Sequence, residues 1–121
     1  MFTITKEFWF SASHYLKFLP QGHPCSNIHG HNYRVVLELC SPSLSPQGFV
    51  VDYKELKAFG DYIDAHLDHK HLNNQLDFQP SAELLAQHLY NIAHNMLGEQ
   101  VSAVTVCEGP KTSATYREGS R

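Results

Sequence analysis

Polar and apolar residues alternate through the first fourteen positions, lose the pattern, and alternate again from residue 30 to residue 40. In the first run Phe8, Phe10, Ala12 and His14 fall on one face, and Trp9, Ser11 and Ser13 on the other. A period of two predicts a strand that ends near His14, with that histidine closing an apolar row. In the second run Tyr33, Val35, Leu37 and Leu39 continue the face on which His29 and His31 lie. Between the two runs, Pro20, Gly22, Pro24 and Asn27 mark residues 15–28 as an irregular loop. Two strands joined in this way pair most simply as antiparallel neighbours. In the right register, His14 then stands beside His29 and His31.

Farther along, two prolines within residues 41–48 make a turn region, and Phe49, Val50 and Val51 form a short extended piece. The period then lengthens. Asp52-Tyr-Lys-Glu55 has the form of a capping box and predicts a helix to about His66, with Leu56, Phe59 and Ile63 as its buried stripe and Leu67 just beyond. Residues 67–74, L-D-H-K-H-L-N-N, read as a polar loop. Pro80 suits the first turn of a second helix, which runs to about Leu97 with Leu85, Leu89, Ile92 and Met96 facing inward and Gly98 as its stop. Alternation returns from Val101 to Glu108, where Val104, Val106 and Glu108 share a face. Gly109-Pro110 turns the chain, and Thr112 to Arg117 is a last strand. The expectation is one α+β domain over residues 1–121, ordered ββααββ: a four-stranded antiparallel sheet with two helices on one face. An open sheet this short leaves two edges to protect, and pairing with other copies would protect them, so an oligomer is expected.

Composition narrows the function. Of 121 residues, 42% are hydrophobic and 17% charged, ordinary for a globular domain, and the net charge is −3 with histidines neutral. No basic cluster exists, which argues against nucleic-acid binding. No segment has the apolar length of a signal peptide or a membrane span. Three cysteines without framework spacing fit a reducing cytoplasm. The unusual feature is nine histidines, at His14, His23, His29, His31, His66, His69, His71, His88 and His94. Metal binding or proton transfer is the first chemistry to consider.

Catalytic zinc takes three protein ligands and leaves a position for water or substrate. His14, His29 and His31 could supply three imidazoles at about 2.0–2.1 Å each. Spacing alone leaves open that H-G-H is a turn feature and His14 a packed core residue. Cys25 lies in a Pro/Ser/Asn loop. To act as a base it needs a nearby partner or cation, since an ordinary thiol with a pKa of about 8.5 is mostly protonated at neutral pH. A fourth zinc ligand and an inert loop thiol are its other readings. Cys40 and Cys107 sit among apolar residues and read as packing. In Asp68-His69 a carboxylate could fix an imidazole tautomer, although adjacent residues rarely pair and a solvated loop is the simpler reading. Glu108 ends an apolar row. There a carboxylate needs either water or a bidentate partner, such as a guanidine-like ring edge with two N–H donors.

The motifs F-S-A-S-H (10–14), C-S-N-I-H-G-H-N-Y (25–33), G-F-V-V-D-Y (48–53), L-D-H-K-H-L-N (67–73), P-S-A-E (80–83) and V-T-V-C-E (104–108) occur in an order that resembles the 6-pyruvoyl-tetrahydropterin synthase / 6-carboxy-tetrahydropterin synthase family, over about residues 4–118. The resemblance implies a tunnelling fold, in which trimers close their sheets into a barrel and two trimers stack as a homohexamer, with sites between subunits. It implies Zn2+ on His14, His29 and His31, Cys25 as general base with His69 and Asp68 as relay, and Glu108 gripping the 2-amino and N3 positions of a pterin. Ser81 and Glu83 would help line the pocket. The three-residue gap between Cys25 and His29 resembles the bacterial carboxy-tetrahydropterin branch of queuosine biosynthesis. The implied reaction is that of a lyase converting 7,8-dihydroneopterin triphosphate to 6-carboxy-5,6,7,8-tetrahydropterin, with loss of triphosphate and acetaldehyde. A pyruvoyl product on the same fold and a non-catalytic structural zinc protein are the alternatives. Two departures stand out: Gly109-Pro110 follows Glu108 where a threonine is more usual, and Ser81 stands where threonine is common.

Overall fold

The structure, a computed structural model, describes residues 1–118. The first two predicted strands form a long hairpin. Strand β1 (Phe2–His14) pairs antiparallel with β2 (His29–Ser41) in unbroken register, from Phe2 opposite Ser41 to His14 opposite His29. The alternation holds along both: Phe10, Ala12, His14, Tyr33, Val35, Leu37 and Leu39 are all buried, whereas Trp9, on the other face, is 60% exposed. The connecting loop contains a single 3₁₀ turn at Pro24–Ser26.

Helix α1 (Lys57–His66) begins later than the capping-box reading places it. Asp52 caps instead a 3₁₀ turn, Tyr53–Leu56, in which the Lys54 N–H donates to its carboxylate at 3.0 Å. Strand β3 (Lys70–His71), a one-turn helix α2 (Leu72–Gln75), helix α3 (Ala82–Leu97) and strands β4 (Val101–Gly109) and β5 (Thr112–Arg117) complete the chain. Pro80 lies just outside α3. Ser81 is the N-cap, its hydroxyl accepting from the Leu84 N–H at 3.2 Å. Gly98 ends the helix at φ +88, a conformation that a Cβ strains.

The expected sheet needs correction. It has five strands in the order β3-β1-β2-β4-β5 and is mixed, because β3 runs parallel to β1, Lys70 opposite Ala12 and His71 opposite Ser13. Two residues are too few to show a side-chain period, and this strand is made by backbone groups filling the open edge of β1. The α3 stripe is also shifted. Leu85 and Leu89 are buried as expected, but the rest of the inward face is Ala86, Tyr90 and Ala93, while Ile92 is half-buried and Met96 is 44% exposed. The alanines let the helix sit close against β4 and β5.

Both long helices cover one face of the sheet. Phe59 of α1 meets Phe8 edge-to-face at 5.2 Å, and the buried side chains form one continuous core with those of β1, β2 and β4. Within the single chain, no described element covers the opposite face. It carries ion pairs between Arg34 and Glu7 (2.7 Å) and between Arg117 and Glu38 (2.8 Å). Cys40 and Cys107 belong to this face; Cys107 is buried, in keeping with its reading as packing, whereas the half-buried Cys40 lies among hydroxyls and not in apolar packing. The Cys40 thiol contacts the Thr3 and Ser102 hydroxyls, and the Arg34 guanidinium lies 3.5 Å from Cys107 Sγ.

Candidate metal centre and active site

The hairpin register brings the three predicted histidines together. His14 and His29 are directly opposite, and His31 faces Ala12 one side-chain step along. Their ligand nitrogens all lie within 4.8 Å of one another, and the three rings meet edge-to-face, with centroids 4.6, 5.1 and 4.9 Å apart. Two backbone carbonyls set the tautomers. His14 Nδ1–H donates to the Pro80 carbonyl at 2.7 Å, with the Tyr33 hydroxyl 3.2 Å from the same nitrogen. His29 Nδ1–H donates to the Asn27 carbonyl, also at 2.7 Å. Each ring therefore turns an Nε2 lone pair inward, and these two Nε2 atoms stand 3.0 Å apart. Two lone pairs facing each other at that distance repel unless a cation lies among them. Burial also pushes the His14 pKa below 6.5, favouring the neutral imidazole that a metal requires; the Pro80 carbonyl and the Glu108 charge oppose this more weakly. The donor set fits a tetrahedral divalent ion such as zinc.

Glu108 is not a lone carboxylate in water. A register shift between β4 and β5, from Val106 to Gly109, precedes the turn. The Glu108 carboxylate lies over the triad, with Oε2 3.5 Å from His14 Nε2 and 3.7 Å from His31 Nε2. Glu108 also borders two cavities. One, about 530 Å³, is shared with His31, Trp9, Arg34 and the Gly109-Pro110 turn. The other, about 170 Å³, is shared with Glu83, Thr112 and Ser113. Glu83 thus joins Glu108 at a cavity wall, whereas the Ser81 hydroxyl is taken up by the cap of α3.

A third cleft, about 490 Å³, lies on the β3 side of His31 and is lined by His69, Lys70, His71 and Ser13. Here the structure departs from the simpler reading of a solvated loop, because Asp68 and His69 do pair, His69 Nδ1 lying 3.0 Å from Asp68 Oδ2. Adjacent side chains meet because His69 adopts a left-handed backbone, φ +59, which costs on the order of 1–3 kcal/mol. Both backbone groups of Ser11 hold the pair. The Ser11 N–H donates to Asp68 Oδ1 at 2.9 Å, and its carbonyl accepts from the His69 N–H at 2.7 Å. That N–H, and then His69, hold the Asp68 carboxyl below its ordinary pKa. With Nδ1–H directed at Asp68, His69 presents a free Nε2 from a ring that is 82% exposed.

Cys25 sits in the 3₁₀ turn of the loop and is half-buried. Its N–H donates to His23 Nδ1 at 3.1 Å, and its carbonyl accepts from the Leu16 N–H at 2.8 Å. Its sulfur is not among the ligand atoms that lie within 4.8 Å of one another. A closed site with cysteine as fourth ligand is therefore not formed. Sequence reasoning did not reach the Pro80 and Asn27 carbonyls or the Ser11 backbone, since main-chain partners leave no residue-type signal.

Known proteins place this arrangement in a family. The family model described as 6-pyruvoyl tetrahydropterin synthase matches residues 3–119. A Bacillus subtilis protein named 6-carboxy-5,6,7,8-tetrahydropterin synthase is 30% identical, over 96% of this chain and 85% of its own length. A Haemophilus influenzae protein of the same name is 25% identical over 98% of this chain and all of its own. The solved structure of Caenorhabditis elegans 6-pyruvoyl tetrahydropterin synthase superposes with a TM-score of 0.86 at 25% identity, covering 98% of this chain and 96% of that one. With its histidine triad at the hairpin end and its Glu108 carboxylate above it, this chain belongs to the 6-pyruvoyl tetrahydropterin synthase family.

Proposed function

We propose that this chain converts 7,8-dihydroneopterin triphosphate and water to 6-carboxy-5,6,7,8-tetrahydropterin, acetaldehyde and triphosphate, as a cytoplasmic lyase of queuosine biosynthesis. The observation that carries the reading is the convergence of three imidazoles, two with carbonyl-fixed tautomers, beneath a carboxylate at the mouth of two cavities. The names of the Bacillus and Haemophilus relatives support the carboxy product.

In this reading His14, His29 and His31 hold zinc. The ion supplies Lewis acidity toward the oxygens of the substrate side chain, favouring negative charge there. Cys25 takes and returns protons at the side-chain carbons. His69, with its Nδ1–H fixed on Asp68, exchanges those protons through Nε2 and spreads the positive charge it gains onto the carboxylate. Glu108 receives the 2-amino and N3 donors of the ring as a bidentate acceptor, and Glu83 lines the adjoining cavity. The overall reaction needs no external oxidant. The dihydropterin ring is reduced at the expense of its side chain, which loses triphosphate and is cleaved with water to a carboxylate and a two-carbon aldehyde.

The proposed assembly is a homohexamer of stacked trimers whose sheets close into barrels. The sheet face without helices and the edge of β1, which β3 covers only at Ala12 and Ser13, support it. The nearby C. elegans structure, a pyruvoyl enzyme by name, favours a second reading in which the side chain is retained as pyruvoyl. Anaerobic incubation of the zinc-loaded protein with 7,8-dihydroneopterin triphosphate, with acetaldehyde and triphosphate both quantified, decides between them. Equimolar acetaldehyde and triphosphate are expected. Triphosphate without acetaldehyde moves the chain to the pyruvoyl branch, and release of neither sinks both readings.

A further inference from the structure

Cys25 stands in a loop whose side chains are mostly exposed, so packing does little to fix it. A proton-transfer group must nevertheless be held in one place, because a misplacement of about 1 Å can cost about 10²-fold in rate. What holds this one is hydrogen bonding to its own peptide groups. On one side the His23 ring caps the 3₁₀ turn, Nδ1 accepting the Cys25 N–H at 3.1 Å. The His23 carbonyl accepts the Ser26 N–H at 3.0 Å and the Ser26 hydroxyl at 2.6 Å. An Nδ1 that accepts carries a lone pair, so this ring is neutral with its proton on Nε2. On the other side the Cys25 carbonyl accepts from the Leu16 N–H at 2.8 Å.

Leu16 lies past the end of β1 and is bracketed by two carboxamides, from residues 58 and 62 positions beyond the ones they hold. Asn73 pairs with both peptide groups of Tyr15: its Oδ1 accepts the Tyr15 N–H at 2.9 Å, and its Nδ2–H donates to the Tyr15 carbonyl at 3.0 Å. Gln79 Oε1 accepts the Lys17 N–H at 2.6 Å. A carboxamide offers the same donor and acceptor as a peptide group. These two side chains therefore prolong the short β3 pairing along β1. Ser11 holds Asp68 and His69, Ala12 and Ser13 face Lys70 and His71, Tyr15 takes Asn73, and Lys17 takes Gln79. The Ser13 hydroxyl, 2.9 Å from His71 Nδ1, ties the middle of this splint.

We propose that Asn73 and His23 are positioning residues for Cys25. Asn73 fixes the base of the thiol's loop through Tyr15 and Leu16, and His23 fixes the turn that carries the thiol. This deepens the pterin-synthase reading and rests on Cys25 as its proton-transfer group. It gives a use to the last residue of the motif L-D-H-K-H-L-N: one segment orients His69 on Asp68 at its start and steadies the Cys25 loop five residues after Asp68. Both act through the backbone, and neither is asked to touch substrate.

The test uses the full zinc-loaded chain and the variants Asn73→Leu, His23→Ala and His23→Asn, the last of which supplies a capping oxygen in place of the ring nitrogen. Alkylation of Cys25 by iodoacetamide, resolved from that of Cys40 and Cys107 by peptide mass spectrometry, reports the freedom of the thiol without requiring activity. Asn73→Leu and His23→Ala are expected to be alkylated at Cys25 about fivefold faster than the wild type. Both should lose about tenfold in kcat, with KM within about twofold and metal stoichiometry unchanged. His23→Asn should return both rates to within about twofold of the wild type. His23 is exposed, so its two variants decide the matter even if Asn73→Leu does not fold. Alkylation at the wild-type rate in His23→Ala overturns the proposal and leaves Cys25 as the base untouched. Faster alkylation with undiminished kcat overturns it too, as does a His23→Asn variant no better than His23→Ala. The expected alkylation pattern in a protein that does not turn over 7,8-dihydroneopterin triphosphate at all supports the hold on Cys25 and overturns the pterin reading alone.

Discussion

His14 is the most constrained side chain of the site: 1% exposed, held at Nδ1 by the Pro80 carbonyl, and set opposite His29 by the hairpin. Replacing it would disturb folding as well as metal binding, so the informative substitution is at the less buried His29. His29→Ala is expected to drop the metal content well below one per chain while leaving the far-ultraviolet circular dichroism unchanged; full stoichiometry would remove His29 from the centre. Cys25→Ala is expected to retain metal and lose turnover by about 10²–10⁴-fold, the range for a lost proton-transfer group. Wild-type rates in that variant would take Cys25 out of the chemistry. Asp68→Asn keeps the shape at His69 but removes the charge that stabilises its protonated form, and a fall in turnover of similar size, with metal retained, is expected. At this scale the triad was legible, because two histidines two apart on one strand and a third ending its neighbour need only a register to meet. The Asp68–His69 pair was read as improbable from its spacing. What joins it is a left-handed residue and the backbone of Ser11, neither written in residue types.

The elements explain why the site stays in place. The triad sits at one end of a hairpin whose register is fixed by a row of fully buried side chains, and a one-residue slip would turn every one of them to the other face. Helix α3 carries Ser81 and Glu83 at its start and rests on the sheet through Leu85, Ala86, Leu89 and Ala93. Leu85→Ala is expected to cost about 2–5 kcal/mol in chemical denaturation, since a fully buried leucine leaves a cavity. A loss under 0.5 kcal/mol would mean that α3 does not depend on that contact. Gly98→Ala should cost about 1 kcal/mol through its positive φ, with metal content unchanged. The main alternating strands and both long helices followed from periodicity. The fifth strand did not, because a two-residue parallel pairing is a property of the β1 edge and not of Lys70 and His71 themselves. The inward face of α3 was misjudged at Met96 because the helix leans on alanines, which carry a weak hydrophobic signal.

For the whole molecule, the helix layer makes stability depend on pH. His88 of α3 hydrogen-bonds Tyr62 of α1 at 2.8 Å, and Phe78 lies beside its ring. Burial holds its pKa below 6.5, against a weaker upward pull from Asp77. In the unfolded chain the same histidine takes up a proton near 6.5. Between that value and the lower folded one, the unfolded state binds more protons, and stability falls as pH drops. His88 should titrate below 6.5 by NMR, and titration at or above 6.5 would contradict this account. The α+β fold class was readable from the chain. The mixed sheet and the closeness of Glu108 to the triad were not, because both depend on edges and bulges that only assembled strands possess.

The central claim is that metal at His14, His29 and His31 makes this chain act on a pterin triphosphate. It is tested most directly by following consumption of 7,8-dihydroneopterin triphosphate, first by chelator-stripped protein and then after one equivalent of zinc per chain is restored. No consumption before zinc and steady turnover after it is the expected result. Equal consumption in both states, or none with zinc bound, would contradict the account.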